Sequence, residues 1–75
     1  MKYNLYDLIK TKKEYTIKTS DSLEIIKEGW IGMIIEIYEN NNALVEFDEK
    51  NYSLKYGLLV LNLDEVELYK LNKDN

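Results

Sequence analysis

The sequence predicts a mainly β domain of about five short strands with one short helical or 3-10 turn. Three observations predict it. Apolar and polar residues alternate with a period of two in several short segments. Two apolar runs, Ile31–Tyr38 and Ala43–Phe47, flank a four-residue polar tip, Glu39–Asn42, as a β-hairpin does. No proline interrupts any of these segments.

The first strand is expected within Met1–Lys10, where Leu5, Asp7 and Ile9 alternate with Tyr6, Leu8 and Lys10. Thr11–Glu14 is a polar break. Glu14–Thr19 alternates again and reads as a short strand or an extended loop packed by Tyr15 and Ile17. In Thr19–Glu28, Asp21 and Glu24 fit a capping box, and Leu23, Ile26 and Trp30 have helical spacing. So few residues before Gly29 give only one helical turn or an ordered loop. Lys27–Gly29 is a turn, with Gly29 at positive φ.

Ile31–Tyr38 is the longest strand. Met33, Ile35 and Ile37 are expected on one face, with Ile34, Glu36 and Tyr38 on the other. Gly32 permits a bend or a close backbone approach. Ala43, Val45 and Phe47 are expected inward on the return strand, and Leu44, Glu46 and Asp48 outward. Asparagines suit the left-handed conformations of the intervening tip. After a second tip at Glu49–Asn51, Tyr52–Leu61 reads as a strand kinked at Gly57. Its continuous run Leu58–Leu61 suggests cover on both faces. Asn62–Val66 is a single 3-10 or helical turn, and Glu67–Leu71 closes the fold. The domain spans 1–71, with a polar tail at 72–75.

A chain of 75 residues makes one domain and buries only about 60% of its extended surface. Cysteine and histidine are absent, so the usual zinc frameworks and disulfide staples are excluded. No apolar run approaches a membrane span, and Asn4 and Asp7 interrupt any signal-peptide core, so a cytoplasmic location is expected. Fourteen acidic residues against ten lysines, with no arginine, give a net charge of −4. That balance argues against nucleic-acid binding and suits a basic protein partner.

The order of segments, with G-x-x-G at Gly29–Gly32 before the hairpin, is that of a small SH3-like barrel. LYDLI at 5–9, KEGWIGMIIEIY at 27–38, ALVEF at 43–47 and LLVLNLDEVEL at 58–68 resemble a small bacterial family. It is the domain-of-unknown-function family forty-nine twenty-six. The resemblance implies an SH3-like barrel, often encoded beside toxins, with no known catalytic residues. The segment between Ile9 and Lys27 departs from the resemblance in its length and its lysine and threonine content, which makes it a rival location for binding.

Catalytic residues are not expected. Ser20, Ser22 and Ser53 have no base partner, and the acidic pairs Asp48-Glu49 and Asp64-Glu65 fall at turns. The tip Glu39–Asn42 lacks the acidic spacing of a calcium loop, so neither metal nor cofactor is expected. One tryptophan and seven tyrosines offer interface anchors. The expected binding face is Trp30, Glu36, Tyr38, Leu44, Glu46 and Asp48, with aromatic and aliphatic anchors ringed by carboxylates. Tyr6, Tyr15, Tyr52, Tyr56 and Tyr69 are expected in the core or at its rim. The functional expectation is a non-enzymatic module, monomeric or weakly dimeric: an immunity protein or antitoxin occluding a basic toxin's active site. Alternatives are a phage-encoded inhibitor of a nucleic-acid enzyme, a nucleic-acid or ribosome-binding barrel supported by Lys10, Lys12, Lys13 and Lys18, and an aromatic cage for a cationic ligand.

Overall fold

Asp7, in the turn before the first strand, shows how the ends of this small domain are held. Its carboxylate is 1% exposed. One oxygen accepts from Asn4 N at 2.9 Å and the other from Asn72 N at 2.9 Å. A buried carboxylate needs such donors, and here they come from both ends of the chain. The computed structural model describes residues 2–55 and 57–72. The expected start of the first strand at Met1, the rim position of Tyr56 and the tail beyond Asn72 lie outside the described residues.

Strands β1 (Leu8–Thr11), β4 (Ile31–Ile37), β5 (Asn42–Phe47), β6 (Leu58–Asn62) and β7 (Val66–Lys70) form one antiparallel sheet in the order β6-β5-β4-β1-β7. Strands β2 (Tyr15–Lys18) and β3 (Leu23–Ile26) form a separate two-stranded ribbon. Among the described residues β6 and β7 do not pair with each other, so the ladder is open. The architecture is a small mainly β domain of antiparallel sheets with one short helix, α1 (Glu49–Tyr52), and 3-10 turns at Glu39–Asn41 and Leu63–Glu65.

The core is Ile9, Ile26, Ile34, Ala43, Val45, Phe47, Leu61, Leu63 and Val66, with Tyr15, Ile17 and Trp30 among the half-buried residues packed on it. Val45 and Phe47 are fully buried. Gly32 is paired with both Ile9 and Phe47. A methyl group there would overlap Val45 Cγ1 and stand 2.9 Å from Phe47 Cε1. The close approach that Gly32 permits is therefore to core side chains.

Four expectations are corrected. The first strand is shorter than expected, because Leu5–Tyr6 forms a turn with Tyr6 at φ 69°. Residues 23–26 are a strand, not a helical turn: Leu23 and Ile25 face out while Ile26 is buried. A lone helical turn gains too few hydrogen bonds to offset its nucleation, whereas pairing with β2 satisfies the backbone. The segment 49–52 is a helical turn, so Tyr52 ends α1 and the next strand begins only at Leu58. Asp48 Oδ1 accepts from Lys50 N and Asn51 N, and Ser53 at φ 56° terminates the turn.

The fourth correction concerns which residues of β4 face the core. Ile34, not Met33 or Ile35, is completely buried. The β4–β5 register slips between Ile34 and Glu36, which marks a bulge at Ile35. The bulge sets Ile34 opposite Val45 and Ile37, itself exposed, opposite Ala43, and returns Glu36 to the outside. Other expectations match. Gly29 has φ 86°, and Asn40 and Asn41 are left-handed. The 3-10 turn before β7 falls inside Asn62–Val66.

Candidate interaction face

Strand registry places side chains that are paired across strands on the same face. The outer face of the five-stranded sheet follows from it. One row crosses every strand: Lys70, Leu8, Met33, Glu46, Leu58. A second crosses three: Glu36, Leu44, Val60. Leu58 and Val60 remain 42% and 56% exposed, so the expected cover on both faces of β6 is absent. Only Leu59 and Leu61 of that run turn inward.

Glu36, Leu44 and Glu46 are thus brought together, as the sequence reading expects. Tyr38 follows β4, and its hydroxyl donates to Glu36 Oε2 at 3.2 Å. Partial desolvation, then the hydrogen bond to Glu36 and that carboxylate's charge, push the Tyr38 phenol above its ordinary pKa. The phenol therefore stays neutral at ordinary pH. Asp48 is exposed at the end of β5, where its carboxylate already caps α1. A groove of about 570 Å³ lies between α1 and the outer face, with Leu8, Ile31, Met33, Glu46 and Asp48 in its lining.

Trp30 does not join this group. It is half-buried against the core, and its ring stacks on Tyr52 with centroids 4.1 Å apart and planes 6° apart. The Tyr52 hydroxyl accepts from Ile31 N at 3.0 Å, which fixes the stack at the start of β4. Leu23, Ile25 and Leu54 line a second concavity beside it. With one Trp30 face covered by Tyr52, the pair is a packing element between β3, β4 and α1, not the open box that a cationic ligand enters.

Leu8, Met33, Leu58 and Val60 complete the outer face and were not among the expected binding residues. The signal for two of them was present. Four consecutive apolar residues in a strand exceed what a single buried face requires.

Elsewhere, polar groups largely serve the fold. Thr11 Oγ1 donates to Lys27 O at 2.8 Å and accepts from Trp30 N at 3.0 Å, closing the excursion that carries β2 and β3. Lys13 pairs with Glu65 at 2.7 Å, and Lys55 with Asp21 at 2.8 Å. Glu24 accepts from Lys55 N. The tip asparagines are engaged locally: Asn41 Nδ2 donates to Asp64, and Asn62 Nδ2 to Asn40 O. Among the described residues no group of three or more acidic, histidine or cysteine side chains is placed to hold a metal ion, and no helix is long and apolar enough to cross a membrane.

Comparison of the chain with protein-family models, curated proteins and solved structures gave no match.

Proposed function

We propose that this chain is a non-enzymatic protein-binding module of the SH3-like type, an immunity protein or antitoxin that occludes the active site of a basic toxin in the cytoplasm. The observation that carries the reading is the sheet's outer face, where Glu36 and Glu46 stand beside Leu44, Leu58 and Val60. Exposed aliphatic residues supply contact area, and flanking carboxylates steer a basic partner and hold its lysine or arginine side chains. Against a nuclease toxin, those carboxylates occupy the positions of substrate phosphates. The strand order, with an excursion after β1 and a 3-10 turn before β7, supports the SH3-like assignment.

The test is binding to the product of the adjacent gene, measured for wild type, Leu44→Asp and Glu46→Lys. Thermal melting serves as the folding control. A hot-spot residue carries about 2 kcal/mol, so Leu44→Asp should weaken binding by roughly 30-fold. Glu46→Lys should slow association and reduce its salt dependence. A wild-type chain that neither binds nor protects against that product, or affinities unchanged in both variants, would refute the reading.

A further inference from the structure

Strand β6 is the outer strand at one end of the sheet. Phe47 N donates to Gly57 O at 2.7 Å, and the β5–β6 register continues as Val45 opposite Leu59 and Ala43 opposite Leu61. In an antiparallel ladder, bonded pairs alternate with non-bonded ones. Leu59 and Leu61 therefore turn their backbone groups toward β5. Leu58, Val60 and Asn62 turn theirs away from the sheet.

Strands at such edges are commonly blunted by charge, proline or cover. The other edge strand, β7, carries Glu67 and Lys70, and its Val66 carbonyl accepts from the Tyr3 hydroxyl. On β6 two of these devices, charge and proline, are missing from Gly57–Leu63. Its outward side chains, Leu58 and Val60, are among the more exposed apolar residues of the domain.

We propose that β6 pairs antiparallel with β6 of a second copy, with Val60 of one chain opposite Val60 of the other. A twofold axis at 60 pairs the outward N–H and carbonyl of Val60 with those of its counterpart and lets Asn62 N donate to the Leu58 carbonyl of the other copy, the Asn62 carbonyl already opening the 3-10 turn. Leu58 then faces Asn62 of the other copy. The row Glu36–Leu44–Val60 continues across the seam into its own mirror order, giving an unbroken apolar centre with a carboxylate at each far end. A second copy matches this strand because Gly57–Leu63 carries no charge to repel its own counterpart. The seam is short against a standard interface, so the dimer is a weak one.

Sedimentation equilibrium of the purified chain alone tests this, independently of any toxin. Wild type should rise from the 8.9 kDa of one chain toward twice that mass as its concentration approaches ~1 mM. Val60→Lys and Val60→Glu place like charges directly opposite and should each raise the dissociation constant by roughly tenfold or more. An equimolar mixture of the two, opposing unlike charges, should recover association. Circular dichroism checks that both variants fold, as the exposure of Val60 leads one to expect. A wild type that stays monomeric, a dimer that V60K leaves intact, or a mixture that does not reassociate would each overturn the proposal.

Discussion

Substituting Gly32 by alanine tests the packing account most directly. The added methyl meets Val45 Cγ1 and stands 2.9 Å from Phe47 Cε1, well inside the ~3.5 Å at which carbon atoms rest against each other. Neither neighbour has free space to enter, because both are completely buried. The strain is relieved only by moving Val45 off its rotamer or by separating β4 from its neighbours. Overpacking of this kind costs about 1–3 kcal/mol, and two simultaneous clashes place G32A at the upper end. A 75-residue domain has about 4–11 kcal/mol of stability in all. With a urea m-value near ~1 kcal/mol/M, the unfolding midpoint should fall by about 2–3 M. The partner variant V45A makes a cavity on its own but removes the clashing Cγ atoms. The double variant G32A/V45A should therefore lose less than the sum of the singles. A midpoint for G32A within error of wild type, or strict additivity in the double, would refute the described contact between β4 and β5.

Two further outcomes follow from buried polar groups. Among the described residues the Tyr15 hydroxyl is buried with no hydrogen-bond partner, so Tyr15→Phe should stabilise the fold by about 1 kcal/mol, read as a higher melting temperature. Burial, then the charge of Glu65, raises the Tyr15 pKa, and burial likewise raises that of Tyr3. The folded state therefore holds these protons more tightly than the unfolded chain. Their contribution is complete below the ordinary tyrosine pKa and is lost as pH rises through the folded value, and Y15F should flatten that alkaline decline. Asp7→Ala leaves the backbone donors of Asn4 and Asn72 without their acceptor. It should cost about 2–4 kcal/mol, and hydrogen exchange should show the chain ends and β1–β7 opening first. An unchanged melting temperature would mean that Asp7 does not clamp the termini.

The sequence by itself determined where most strands lie, because alternation and turn residues are local signals. Gly29 at positive φ, the left-handed asparagines at 40 and 41, and the 3-10 turn before β7 were all legible from residue chemistry. Half of the candidate face was legible too: Glu36, Leu44 and Glu46 fall together once alternation is right for β5. Tertiary structure decided the rest. The bulge at Ile35 exchanges the inward set of β4, and nothing in the IGMIIEI run distinguishes Ile34 from Ile35 as a core residue. Helical spacing at Leu23, Ile26 and Trp30 gave way to strand pairing, because β2 offers backbone partners that one helical turn lacks. Trp30 became a packing element once the chain brought Tyr52 against it from 22 positions later. Leu58 and Val60 read as buried in the sequence, since apolar composition reports affinity for cover and not its presence. Only the assembled sheet shows that these two residues stay about half exposed, and that their strand ends it.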